Sequence, residues 1–193
     1  SDRVRKYRKI KEALDSILHR ICEANDIEIK EIKLHVIQKD EINAFALPYK
    51  HLVLYSGLIS ETENPEELTG VISHELVHIQ ENHVMNKLIK EVGLSVLLSM
   101  AGGNSGGESA AQTLKLLSST AYDRSMEREA DYMAVDYLKN AQIDPEPFAE
   151  LLYKLSRKEP DMMKHLSWIS THPNSKNRAT DLIEYINEPI EYM

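Results

Sequence analysis

His74-Glu75-Leu76-Val77-His78 places two imidazoles four positions apart, with a carboxylate directly after the first. On a helix, such positions lie only about 40° apart around the axis, so both rings face one point. Two neutral imidazoles converging in this way form a metal-binding pair, and zinc takes such nitrogens at about 2.0–2.1 Å. Glu75 stands beside the pair without joining it, which suits it to hold and deprotonate a water at the metal. The chemistry this predicts is hydrolysis assisted by one Zn2+ ion.

A catalytic zinc keeps three protein donors and one open position, so a third donor must come from elsewhere. One solution is a further His six residues after His78 with Gly at the third, but those positions hold Val84 and Glu81. His83 falls one residue short and is assigned to the surface or to a supporting place behind the ligands. The other solution is a carboxylate from a second helix. Glu127-Arg128-Glu129-Ala130-Asp131 supplies one, with Glu127 and Asp131 on a shared face. Glu127 would be the third ligand, and Asp131 would accept the outer N–H of a ligating imidazole and fix its tautomer. Ala130 and Ala134 are small enough to let the two helices approach closely. His19, His35, His51 and His165 match no ligand spacing and are read as ordinary surface or core residues.

These side chains need elements to hold them. Val4, Tyr7, Ile10, Leu14, Ile17, Leu18 and Ile21 recur at three- and four-residue spacing, which predicts an amphipathic helix from about Arg3 to Ala24. Near-alternation from Ile27 to Ile37 predicts a strand, with a turn or bulge near Lys30-Glu31. Two short strands follow, Asn43 to Leu47 and Leu52 to Tyr55, divided by Pro48, which cannot donate to a ladder. Asn64-Pro65-Glu66-Glu67 starts the helix of the His74 motif, with Asn as N-cap and Pro at the first helical position; it is predicted to run to about Lys90. Gly102, Gly103, Gly106 and Gly107, around Asn104 and Ser105, mark a flexible loop. Helical spacing resumes from about Ser109 to Asn140, Asp144-Pro145 opens another helix, and a last one spans Asn174 to Asn187. The sum is one helix-rich α+β domain over residues 1–193, with a small mixed sheet and the active-site helix against it.

Composition limits the partners. Hydrophobic residues at 42% and charged residues at 28% suit a packed domain rather than a disordered chain. A net charge of −8 gives no general footprint for nucleic acid. The exception is local: Arg3, Arg5, Lys6, Arg8, Lys9 and Lys11 crowd the N-terminus, either as a solvated helix face or as an arm for a membrane surface or an acidic partner. Cys22 is the sole cysteine, so no internal disulfide forms. The apolar run Val92 to Ala101 is half of the roughly 20 residues that cross a bilayer, so no transmembrane segment is predicted. That run is read as a helix end leading into a mobile flap, against a buried core segment. The chain starts at Ser1 without a signal peptide, which points to a leader or anchor removed upstream.

The His74 and Glu127 motifs, 49 residues apart, resemble the gluzincin metallopeptidases of family 48, which include HtpX-like membrane proteases and the CaaX prenyl protease. Asn43-Ala44-Phe45-Ala46-Leu47-Pro48, Tyr55-Ser56-Gly57-Leu58-Ile59 and His172-Pro173 with Arg178 extend the likeness over roughly residues 40 to 180. The resemblance implies a zincin-like fold, with His74, His78 and Glu127 as zinc ligands, Glu75 as general base and Asp131 behind His74. It implies that Asn43, Ala44, Phe45 and Ala46 form an edge along which an extended polypeptide substrate pairs. It also brings His172 to the metal, to stabilise an oxyanion or to fill the open position at rest, with Arg178 supporting that loop or the ligands. Two departures stand out: Tyr49-Lys50-His51 follows Pro48 where the family usually has Gly-Gly, and the membrane-spanning helices of HtpX-like members are missing. The chain therefore resembles the soluble, extracytoplasmic bacterial branch, and the expected activity is endopeptidase action in protein quality control at a periplasmic or membrane-facing location. The rival readings are a zinc-bound chaperone that holds polypeptide without cutting it, and a zinc hydrolase of non-peptide substrates.

Overall fold

The computed structural model describes residues 2–102, 106–158 and 166–188. The elements run α1 (Asp2–Ala24), a short 3-10 turn (Ile29–Glu31), β1 (Lys33–Ile37), β2 (Ala44–Leu47), β3 (His51–Tyr55), α2 (Ser56–Glu61), α3 (Pro65–Gln80) and α4 (His83–Val92). They continue with α5 (Leu94–Gly102), α6 (Gly106–Ser119), α7 (Arg124–Asn140), α8 (Glu146–Ser156), α9 (Ser167–Thr171) and α10 (Ser175–Asn187). No described helix is long and apolar enough to cross a membrane.

The sheet has the order β1-β3-β2, with β1 parallel and β2 antiparallel to β3, so it is mixed as expected. One face (Leu34, Ala44, Ala46, Leu52, Leu54) joins the main core, and Phe45, Val53 and Tyr55 form a second small cluster on the other. Tyr49 and Lys50, in the β2–β3 connection, have φ of 63° and 60°. This is the left-handed region, where a non-glycine residue costs about 1–2 kcal/mol; the two residues that stand in for glycines bend through the same turn under strain.

Helix α3 is the centre of the molecule, buried continuously from Glu67 to Ile79. Asn64 Oδ1 accepts the Glu67 N–H at 2.9 Å, and Glu67 Oε2 reaches back to the Glu63 N–H at 2.7 Å, so the start predicted from sequence is a capped one. Gly70 is where α8 presses closest: a Cβ there would lie 2.3 Å from that of Phe148. Helix α7 packs along α3, with Ala130 and Ala134 fully buried.

Four boundaries differ from expectation. The strand expected over Ile27–Ile37 is confined to Lys33–Ile37, and the turn expected near Lys30-Glu31 is the 3-10 turn that precedes it. The His74 helix stops at Gln80, because Asn82 takes the left-handed conformation (φ 58°) that Asn tolerates, and α4 restarts at His83 in a new direction. The helix expected over Ser109–Asn140 is two, divided at residues 120–123. The run Val92–Ala101 is divided: Val92 ends α4, Gly93 breaks the chain at φ 80°, and Leu94 onward forms α5, which exposes Leu94, Val96 and Leu98 rather than burying them. Residues 103–105, the middle of the expected glycine-rich loop, and His165 lie outside the described residues.

Candidate metal centre

His74 and His78 project from α3, Glu127 from α7, and His172 follows α9; all are buried, the three imidazoles completely. Their donor atoms converge. His74 Nε2 lies 3.0 Å from His78 Nε2 and 3.1 Å from His172 Nδ1. Glu127 Oε1 lies 2.9 Å from His172 Nδ1, 3.2 Å from His78 Nε2 and 3.6 Å from His74 Nε2. Four donors arranged tetrahedrally around one ion at zinc's bond lengths are separated by about 3.3 Å. The five separations above straddle that value.

The outer partners determine which ring nitrogens face inward as bare lone pairs. His74 Nδ1 meets Asp131 Oδ1 at 2.9 Å, so its proton sits there and Nε2 is an acceptor. His83 Nε2 meets Glu129 Oε2 at 3.0 Å, leaving His83 Nδ1 to accept from His78 Nδ1 at 3.0 Å, so His78 Nε2 is also bare. His172 turns its Nδ1 inward as well, 2.9 Å from Glu127 Oε1, while its Nε2 lies 3.2 Å from Glu75 Oε1 without hydrogen-bonding geometry. Two imidazole lone pairs and a carboxylate oxygen aimed at one point repel each other unless a proton or a metal cation lies between them. The carboxylates make the cluster a place for positive charge: burial alone would lower the His74 pKa, yet Glu127 and Asp131 overcome it and raise it to about 9, so without a metal a proton takes the cation's place. The donor set, its spacing and its charge thus fit a divalent metal.

Arg178 ties the back of the site. Its Nε and Nη2 each donate to Asp131 at 2.7 Å, and Nη1 reaches the His172 carbonyl at 2.9 Å and Glu127 Oε2 at 2.8 Å. Asp131 is therefore held by Arg178 while it receives His74. Asp131→Asn removes the charge that orients His74 and is expected to weaken metal affinity by roughly 10–100-fold. Competition against a zinc-responsive dye measures this, and an unchanged affinity would place Asp131 outside the ligand support.

Glu75 is fully buried; its Oε1 accepts from Trp168 Nε1 at 3.0 Å, and its Oε2 has no hydrogen-bond partner among the described residues. Burial opposes its ionisation, but His172, His78 and His74 hold its pKa down at about 2, so it is a carboxylate at neutral pH.

The remaining predicted residues are close but covered. Ala44, Phe45 and Ala46 lie in β2, an edge strand by its pairing, yet they are buried and α6 packs against the strand. The Asn43 amide is fully buried, with neither Oδ1 nor Nδ2 hydrogen-bonded. His83 supports His78 from behind, while His35 and His51 stack on each other on the outer sheet, away from the cluster. Sequence reasoning missed Trp168 and Tyr122. Trp168 stacks on His172 (centroids 4.7 Å) and Tyr122 on His78 (3.8 Å). Trp168, the chain's sole tryptophan and four residues before His172, was a readable signal; Tyr122, in an irregular connection, was not.

A carboxylate following the first of two helical imidazoles, with a second helix bringing another carboxylate to them, is compatible with a zincin-type centre. The match to known proteins agrees: the model of peptidase family M48 covers residues 9–186, and the chain belongs to that family. It is 29% identical over 174 residues to the mitochondrial metalloendopeptidase OMA1 of Schizosaccharomyces pombe, covering 89% of this chain and 52% of that protein. It is 27% identical over 180 residues to the beta-barrel assembly-enhancing protease of Yersinia pestis, covering 87% of this chain and 37% of that one. With the mitochondrial metalloendopeptidase OMA1 of Bos taurus it shares 26% identity over 197 residues, 93% of this chain and 38% of the relative. The chain thus spans about half or less of the length of these relatives.

Proposed function

We propose that this chain is a zinc-dependent endopeptidase domain that cleaves internal bonds of extended or unfolded polypeptides, held in a closed resting form. The observation that carries the reading is the convergence of His74, His78, Glu127 and His172 beside a buried, ionised Glu75. One Zn2+ ion is the proposed occupant, with His74, His78 and Glu127 as permanent ligands; when bound, such an ion acidifies a water and polarises the scissile carbonyl. Glu75 Oε2, the oxygen without a partner, takes the proton of the attacking water and hands it to the leaving amine. Trp168 keeps Oε1 fixed so that Oε2 is the oxygen presented. Asn43 and the backbone of Ala44–Ala46 hold the substrate main chain by strand addition; the unpaired Asn43 amide is the group best suited to receive it.

Substrate cannot reach Glu75 in this conformation, because His74, Glu75, His78 and His172 have no exposed surface. His172 occupies the fourth donor position, and α6 lies against β2. Opening then requires His172 to leave the donor set and α6 to move from the strand. His172→Ala should raise cleavage of an unfolded, disulfide-free polypeptide by about tenfold or more, the gain expected where the open form is a tenth or less of the population. A fall in cleavage would instead assign His172 to oxyanion stabilisation. The relatives' names connect them to β-barrel assembly and to mitochondria. For this chain we propose quality control on an extracytoplasmic, membrane-facing side, with polypeptide as the partner.

A further inference from the structure

We propose that Lys87 and Tyr122 are positioning residues for the metal centre: Tyr122 is the plate that fixes the plane of the His78 ring, and Lys87 is the buried charge that fixes Tyr122. This rests on the reading of His78 as a ligand. The contacts at His78 Nδ1 and Nε2 lie in the ring plane, so they leave the imidazole free to tilt about the line joining them. Tyr122 closes that freedom. Its ring lies flat on His78, with centroids 3.8 Å apart and planes 11° from parallel, tighter than the roughly 4.5–7 Å of ordinary aromatic pairs.

Lys87 takes the opposite role to a solvated lysine. It projects from α4 with 3% exposure, and its Nζ lies 4.0 Å from the Tyr122 ring centroid. Its one hydrogen bond among the described residues goes to the Leu117 carbonyl at 3.1 Å, at the end of α6. Burying an ammonium against one carbonyl and one ring is costly, and a methionine would fill the same space without the cost. The charge is what the position gains, through its attraction to the ring face in a desolvated setting. Burial pulls the Lys87 pKa down to about 8, opposed by the fields of Glu75, Glu127 and Glu91, so the cation persists at neutral pH. The Tyr122 backbone N–H donates to the Thr171 carbonyl at 3.1 Å, one residue before His172. The pair therefore joins α4, the end of α6 and the His172 segment to a single ligand ring.

The test compares zinc-loaded wild type with Lys87→Met, Lys87→Gln, Lys87→Arg, Tyr122→Leu and Tyr122→Phe. Zinc release to excess chelator is followed by stopped flow, and ligand-field bands are recorded after cobalt substitution. Lys87→Met and Tyr122→Leu should release zinc roughly 10–100-fold faster and shift the cobalt bands. Lys87→Arg, which keeps the charge, and Tyr122→Phe, which keeps the plate, should stay close to wild type. Lys87→Gln retains a donor for Leu117 without the charge, so it should follow Lys87→Met and serves if that variant does not fold. Wild-type release rates and spectra in Lys87→Gln and Tyr122→Leu would overturn the proposal. If wild type binds no zinc, the ligand reading fails separately. The positioning claim is then judged on the zinc-free protein, where the ring-current shift of the His78 protons should be lost in Tyr122→Leu and Lys87→Gln but kept in Lys87→Arg.

Discussion

Glu75→Gln should fold and hold zinc as wild type does, yet cleave an unfolded polypeptide about 10²–10⁴-fold more slowly, the usual share of a general acid–base group. Three features make the substitution a clean one. Glutamine is isosteric, and its carbonyl can still accept from Trp168 Nε1, now at 3.0 Å from Glu75 Oε1. Glu75 lies outside the four converging donors, so the metal set is intact. What disappears is the proton-accepting oxygen, Oε2, which has no other partner among the described residues. Metal content by mass spectrometry and cleavage by single-turnover product analysis check the two halves of the expectation. Turnover near the wild-type rate would end the assignment of Glu75 as base. The same variant separates the enzyme from the chaperone reading: if the chain's work is to hold polypeptide, Glu75→Gln will suppress aggregation of an unfolded substrate as well as wild type, and wild type will leave that substrate uncut.

Three of the four converging side chains were legible in sequence because each obeys a local rule. His74 and His78 sit four apart on a helix whose start is written in Asn64-Pro65, and Glu127 and Asp131 repeat the spacing on a partner with Ala130 and Ala134 on the packing side. The amphipathic first helix and the three short strands were legible for the same reason, as runs of fixed period. What was not legible depends on single backbone angles or on distant packing. Val84 and Leu88 continue the apolar spacing of α3, so the pattern runs across Asn82 and conceals the turn made there. Residues 120–123 contain neither Gly nor Pro, and the break there coincides with Tyr122 lying over His78, a distant contact that no local pattern announces. Helix α9 is five residues long, too short for periodicity, yet it delivers both Trp168 and His172. Burial of β2 beneath α6 joins segments some sixty residues apart, and nothing in the alternation of Asn43–Leu47 announces it.

Glu127→Ala carries the second large effect, and it falls on metal rather than on chemistry. Glu127 Oε1 touches two imidazole donors, at 2.9 Å and 3.2 Å, and is the one negative charge in the donor set. Zinc in a four-donor protein site is bound by about 10–16 kcal/mol, so one donor contributes roughly 2.5–4 kcal/mol, or about 10²–10³-fold in affinity. The actual loss should reach the upper end of that range. Removing the carboxylate would leave a doubly charged ion among neutral rings, and Arg178 Nη1 would lose the Glu127 Oε2 that lies 2.8 Å from it. Arg178 keeps both bonds to Asp131, so the zinc-free variant should still fold. Its stability should drop by about 1.5–3 kcal/mol for the lost buried charge contact with Arg178, a fall in Tm of roughly 3–12 °C for a chain of this size. Dialysis against a chelator followed by metal analysis gives the outcome: wild type keeps one zinc, and Glu127→Ala keeps none. Stoichiometric zinc in Glu127→Ala would show that His74, His78 and His172 suffice. Combining it with His172→Ala would then show whether His172, rather than Glu127, is the permanent third ligand, which would reverse the proposed roles of resting plug and catalytic ligand.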